Sequence, residues 1–339
     1  MELYSGLDLH SRNTYIGILD TDFKRVFKKR ISNNLDLILE TLEPFRDQLK
    51  GLVVESTFNW YWLVDGLMDA GYGCVHLANP SAIKQYEGLK HSDDQHDAFF
   101  LAQLLILGIL PQGYIYPKED RPVRDLVRKR MFLVKHKTAH ILSLQSLIAR
   151  CCNQRVSSNQ LRTFTRADLE QLLKEEHLVI SAQANLDSIS FLKQQIHGLE
   201  KVIKNKLKLS QAFNGLLTVP GIGQILAMTI MLEVGNIERF AKVGNFTSYC
   251  RCAPTQRLSD GKSKGSGNRK NGNRYLSWAF SEAAQMARRY NQRFRRYYDR
   301  KVAQTNMMVA RRALSNKLAR ICYYIMRDQV TFNDELILH

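Results

Sequence analysis

Four carboxylates, Asp8, Glu55, Asp94 and Asp97, stand where their chemistry could be joint. Asp8 ends the short run that begins at Leu3, and Glu55 directly follows Leu52-Val53-Val54. An acid placed after so apolar a strand has little packing reason to be there. Asp94 and Asp97 are three residues apart at the expected start of a helix, which turns them to one face. The positive end of that helix suits their charge, and plain helix capping is the alternative reading of the pair. Carboxylates that converge repel one another unless hard cations join them. Mg2+ takes oxygen ligands of this kind, and Mn2+ can substitute for it. Two such ions about 4 Å apart activate an attacking oxygen and stabilise a leaving one in phosphodiester exchange.

A second group of residues has the opposite charge. The net charge is +17, and the surplus lies beyond the first hundred residues. From Arg251 to Arg312 there are 16 Lys or Arg against only Asp260, Glu282 and Asp299, an imbalance that suits a polyanion such as nucleic acid. Lys262, Lys264, Arg269, Lys270 and Arg274 belong to a polar, glycine-rich stretch over 257–274. Arg288, Arg289 and Arg293 follow on a helix where cations alternate with Tyr290, Tyr297 and Tyr298. Such arginines grip phosphates while the tyrosines stack or pack. Upstream, Pro220-Gly221-Ile222-Gly223 interrupts an apolar run as a helix-hairpin-helix turn does. Backbone N–H groups at Gly221 and Gly223 can hold a phosphate there, and a packing turn between helices is the other reading.

These groups need a scaffold. Leu3–Leu7, Thr14–Leu19 and Arg25–Phe27 read as three strands separated by turn residues. A helix over 35–49, a buried strand over 51–55, a helix over 60–70 and a strand over 73–77 follow. A meander followed by alternating helix and strand gives a mixed-sheet α/β domain of the ribonuclease H-like plan, in which the strands carrying Asp8 and Glu55 are parallel neighbours. Helices are expected over 94–107 and 121–152. Ile189, Leu192, Ile196, Leu199 and Ile203 then mark either a two-stranded coiled coil or a helical hairpin within the chain. Two last helices are expected over 275–299 and 307–327. The expected division is a ribonuclease H-like catalytic domain over 1–152, a helical or coiled-coil linker over 153–208, and a mostly helical basic domain over 209–339. The six cysteines form no Cys-x-x-Cys pair and read as reduced thiols. No leader and no run of about 18 apolar residues is found, so a cytoplasmic protein without a membrane partner, acting at the nucleoid, is expected.

Gly6-Leu7-Asp8, Val53-Val54-Glu55 and Asp94-Gln95-His96-Asp97-Ala98 resemble the motifs of the DEDD transposases of bridge-RNA-guided insertion sequences, to which the pilin-gene invertases are related. A C-terminal signature recurs too: Pro220-Gly221-Ile222-Gly223, Phe240, Tyr249, Ala253-Pro254, Ser259, Gly261, Gly272-Asn273, Tyr275-Leu276 and Asn316-Lys317-Leu318-Ala319-Arg320. The resemblance implies a transposase that cuts and rejoins donor and target DNA. It implies divalent metal on Asp8, Glu55, Asp94 and Asp97, and a nucleophile at Ser259 that becomes joined to a 5′ phosphate. It further implies a structured guide RNA and a homo-oligomer, dimeric or tetrameric. The chain departs from the pattern in three places. Asp260 follows the serine where the family usually has glycine, Asp93 precedes the third acid in place of threonine, and Asn268-Arg269 precede Lys270 in place of an isoleucine-serine pair. Ser263 and Ser266 share the loop with Ser259 and remain alternatives to it. A Mg-dependent nuclease for branched DNA would use the same acids without the serine, and a non-catalytic nucleic-acid-binding regulator would need neither.

Overall fold

The computed structural model of the chain describes residues 1–83, 94–206, 211–254, 256–259, 262–266 and 271–334. They fall into two compact units, Met1–Lys118 and Glu119–His339.

In the first unit β1 (Leu3–Leu9), β2 (Asn13–Asp20) and β3 (Arg25–Ser32) form an antiparallel meander. Asn34 caps α1 (Leu35–Leu42) by accepting a hydrogen bond from Leu37 N at 3.2 Å. The helix expected over 35–49 ends early. Pro44 cannot donate to the helical ladder, and Glu43–Gln48 tighten into a 3-10 turn before β4 (Leu49–Glu55). Next come α2 (Tyr61–Asp69), β5 (Val75–Ala78), the single turn α3 (Pro80–Ile83) and α4 (Asp94–Ile106). The sheet order is β3-β2-β1-β4-β5, with β4 parallel to both β1 and β5. One core joins Leu7, Leu9, Ile16, Ile18, Leu52 and Val54 of the sheet to Leu63, Val64 and Leu67 of α2.

Helix α4 packs against β1, β2 and β4, and three glycines admit it. A Cβ on Gly6 would overlap the carbonyl oxygen of Ala98 at 1.8 Å, and one on Gly17, opposite Gly6 across β1 and β2, would meet the Phe99 ring at 2.9 Å. A Cβ on Gly51 would meet Leu105 at 2.6 Å. The helix backbone therefore lies almost on the sheet, one residue past Asp97.

The second unit is mostly helical. It contains α5 (Arg121–Cys152), α6 (Arg166–Leu173) and α7 (Glu176–Lys206). These are followed by α8 (Gln211–Leu217), α9 (Gln224–Val234) and α10 (Val243–Tyr249). The apolar seam of α7 is used inside the chain. The helix runs against α5, burying Ile196 and Ile203, while Ile189 packs with Leu144, Leu147 and Ile148. Within the stretch 257–274, expected as an irregular loop, β6 (Gln256–Ser259) and β7 (Lys262–Ser266) form a hairpin. The helix expected over 275–299 is two helices, α11 (Arg274–Tyr290) and α12 (Gln292–Gln304). Asn291 takes an extended conformation between them and accepts from Phe294 N at 3.0 Å, so the break is a built cap. Helix α13 (Met307–Asp328) follows. Phe246, Phe280, Phe294 and Leu318 anchor the main core, to which α5 contributes Val127 and α7 contributes Ile203. Cys250, Cys252 and Cys322 are buried free thiols, and burial pushes Cys252 up to about 12. Among the described residues no helix is long and apolar enough to cross a membrane.

Candidate functional site

The parallel pairing of β1 with β4 sets Leu7 beside Val54, so Asp8 and Glu55 follow side by side at the same edge of the sheet. Asp8 is buried, at 1% exposure, and Glu55 is half-buried. A side-chain hydrogen bond with Asp8 favours the protonated form of Glu55. Burial first, then that bond and the charge of Asp8, then the charge of Asp97, push Glu55 up to about 7. Asp97 is thus within electrostatic reach of the pair, placed there by the close seating of α4. Asp94 opens the same helix, and its side chain lies outside the described residues.

One neighbour was not anticipated from sequence. His10 Nε2 lies 3.0 Å from Asp8 Oδ2, and its charge pulls Glu55 back down. The His10 carbonyl accepts from Asn33 at 2.9 Å and from Asn59 at 3.1 Å, so two loops fix it at the sheet edge. Its place just past the end of β1, two residues after Asp8, was the available signal.

Among the described residues no three His, Cys, Asp or Glu side chains form a ready metal cage. The donors present nevertheless fit a hard divalent cation. They are carboxylate oxygens, burial and mutual repulsion hold Glu55 towards its protonated form, and a cation in that place would take the proton's role.

The basic unit holds a second candidate centre. Ser259 ends β6 and pairs with Lys262 across the hairpin, whereas Ser263 pairs with Leu258 and Ser266 with Gln256. The side chains of these three serines lie outside the described residues, and Lys262 and Lys264 are exposed. Arg269 and Lys270 lie outside the described residues altogether.

The base of the hairpin is clamped. Arg251 Nε donates to Gly272 O at 3.0 Å, and Asn273 N donates to Tyr249 O at 2.6 Å. Gly272 has φ +87°, and a Cβ there would stand 2.4 Å from that same carbonyl. Asn273 caps α11 through Tyr275 N and Leu276 N. Its amide also donates at 2.7 Å to Glu233, a buried carboxylate that Arg128 of α5 grips with two bonds of 2.6 and 2.7 Å. Burial, then repulsion from Arg274 and Arg312, pulls Arg251 below the ordinary guanidinium range, so three cations crowd at this base.

The remaining expected contacts are dispersed through this unit. Gly221 has φ +91°, and its missing Cβ would meet Ala283 and Ala287 of α11 at 2.5 and 2.4 Å, so its first task is to seat the turn on that helix. Gly223 is exposed at the start of α9. Arg274 is exposed, Arg288 covers Tyr298 and Arg289 covers Tyr290. Arg293 is engaged by Asp334.

A meander followed by two parallel strands, with neighbouring acids at one edge and a third carried by a helix on the sheet, defines a ribonuclease H-like α/β protein. Two family models match the chain: a DEDD transposase model over residues 5–153, and the model "Transposase IS116/IS110/IS902 family" over residues 214–299. The chain belongs to this IS110-type family of DEDD transposases. It is 30% identical over 150 residues to a transposase for insertion sequence element IS1328 of Yersinia enterocolitica, a match spanning 42% of this chain and 44% of that protein. It is 23% identical over 275 residues to a transposase for insertion sequence element IS1111A of Coxiella burnetii, spanning 76% of this chain and 72% of that protein. The first match thus covers less than half the length of its relative.

Proposed function

We propose that the protein is a transposase that cuts and rejoins DNA strands through a covalent serine intermediate, with the acidic site assisted by divalent metal. The observation that carries the reading is the parallel register that sets Asp8 and Glu55 side by side at one sheet edge, within electrostatic reach of Asp97. Asp8, Glu55, Asp94 and Asp97 are the residues that would hold the ions, Mg2+ with Mn2+ as a substitute. When bound, such ions supply charge stabilisation to the attacking and leaving oxygens.

The chain's own residues account for the rest. The hydroxyl oxygen of Ser259 attacks a phosphodiester phosphorus, the bond from phosphorus to the 3′ oxygen breaks, and the leaving 3′ oxygen takes up a proton while the serine gives one up. The 5′ phosphate stays on the serine as an ester. A second strand's 3′ hydroxyl then attacks that phosphorus and releases the serine, so joining needs no ATP. Lys262, Lys264, Arg269, Lys270 and Arg274 neutralise phosphates around the hairpin, while Gly221, Gly223, Arg288, Arg289 and Arg293 extend the contact. A structured RNA reads the sequence by base pairing while the protein reads shape and backbone. The functional division runs over 1–152, 153–208 and 209–339, and the working form is an oligomer.

The test is incubation of the full chain with branched DNA and Mg2+, followed by denaturing electrophoresis. Protein-linked DNA, mapped by mass spectrometry to the Ser259 peptide and abolished in Ser259→Ala, is the expected outcome. Free nicks with no adduct would identify a nuclease, and unchanged DNA a binding regulator. An adduct on Ser263 or Ser266 would move the nucleophile along the hairpin.

A further inference from the structure

The second unit contains a cleft of about 580 Å3 formed by α12, α13 and the segment 330–333. This volume lies within the range of about 300–1,000 Å3 that suits small organic groups. Its lining combines aromatic faces, Tyr297, Tyr324 and Phe332, with the cations Lys317 and Arg320. Phe332 is committed to Phe294, at 6.1 Å between ring centres, whereas Tyr324, 38% exposed, has the Arg327 guanidinium 4.9 Å from its ring centre and Tyr297 is half-buried. The lysine ammonium lies 5.0 Å from the centre of the Tyr297 ring.

The charge balance of the cleft is unsatisfied. Among the described lining residues the one acid, Asp328, is held by Arg327 through two bonds of 2.6 and 2.9 Å. Among the described residues no carboxylate ion-pairs with Lys317 or Arg320. Burial first, then repulsion from Arg300 and Arg320, lowers Lys317 from its ordinary range. With Asp328 taken by Arg327 and, among the described residues, no carboxylate paired to Lys317, Arg320 or Arg300, the cleft is a site of positive potential, and the aromatic walls limit which anion fits best. A free phosphate gains nothing from tyrosine faces, and an acidic peptide offers no flat ring to them. A nucleotide offers both a ring and a phosphate.

We propose that this cleft seats one unpaired nucleotide of a bound strand, its base against Tyr324 and Tyr297 and its phosphate on Lys317 and Arg320. The site shares no residue with the hairpin or with the four acids. It rests on the reading of this unit as a nucleic-acid handler and is independent of Ser259. A nucleotide can enter only if it is unpaired, since a base in a duplex has both faces covered by stacking.

The experiment compares a single-stranded oligonucleotide carrying one 2-aminopurine with a blunt duplex of the same sequence, each bound to the full chain in metal-free buffer. Fluorescence anisotropy gives affinity, and 2-aminopurine quenching reports stacking. Tyr324→Ala should weaken single-strand binding on the order of ten-fold and abolish the quenching, with duplex affinity changed less than two-fold. Tyr324→Phe should behave as the parent, and Lys317→Gln should weaken the single strand with quenching retained at saturation. Equal losses on both DNAs, no loss on either, or failure of Tyr324→Phe in a variant that melts like the parent would each overturn the assignment. A parent chain that binds neither DNA would overturn the nucleic-acid reading as well.

Discussion

At the residue scale the informative side chain is Glu55. Its carboxyl titrates near 7 in the folded chain against an ordinary value of 4.5. Between those values the folded chain keeps a proton that the unfolded chain has lost. Stability from this group is therefore greatest below pH 4.5 and falls as pH rises through 7. Thermal melting in metal-free buffer should show that decline, and Glu55→Gln, neutral throughout, should flatten it; equal slopes in the two proteins would refute the upward shift of Glu55. Divalent metal should stabilise most above neutrality, where no proton competes with it. Asp8→Ala and Asp97→Ala should each abolish strand cleavage, and Asp97→Ala should melt no lower than the parent in the same buffer, because it removes a charge that repels Glu55. Near-parental cleavage by both variants would show that the acids are not a joint site.

Among the elements, α4 brings Asp97 to the acids of the first unit, and the clamp beneath the hairpin holds the hairpin base in the second. A methyl group on Gly6 runs into the backbone of Ala98, which cannot rotate away, whereas one on Gly17 meets a phenyl ring that can. Gly6→Ala should therefore cost about 1–3 kcal/mol or more and shift Asp97, with Gly17→Ala milder on both counts. Chemical denaturation and metal titration by calorimetry would rank them, and the reverse order would contradict the close seating of α4. In the second unit, Arg128→Met leaves the Glu233 carboxylate buried without its partner. A loss of about 3 kcal/mol is expected, measured by urea unfolding. Because Glu233 also holds Asn273 at the start of α11, the hairpin should become more sensitive to protease in that variant.

For the whole molecule, the two compact units specify where the chain can be cut. Residues 119–339 contain their own core and most of the basic surplus, so that fragment should fold and bind nucleic acid with a steep salt dependence. A fragment starting at 209 lacks Val127, Arg128 and Ile203, and it should be unstable or insoluble. Circular dichroism and binding at two salt concentrations would test both. Weak binding by the longer fragment, or binding insensitive to salt, would remove the electrostatic basis of the proposed DNA contact.

The sequence by itself determined the strand order and its two acids. Alternating and continuous apolar runs fix which segments become strands, and a carboxylate after Leu52-Val53-Val54 has to emerge at a strand end. It also fixed the family, through motifs spread along nearly the whole chain. The tertiary structure decided what depends on contacts distant in sequence. That Gly6, Gly17 and Gly51 make one groove for α4 follows only from strand register. That Gly221 serves packing against α11 before any phosphate follows from two alanines more than sixty residues away. The α7 seam read equally well as a partner-binding coiled coil, because the same heptad pattern serves either purpose, and only its burial against α5 shows that it is used within the chain. The hairpin was hidden because its residues are polar and glycine-rich, and the backbone pairing that makes it a hairpin leaves no apolar periodicity to read.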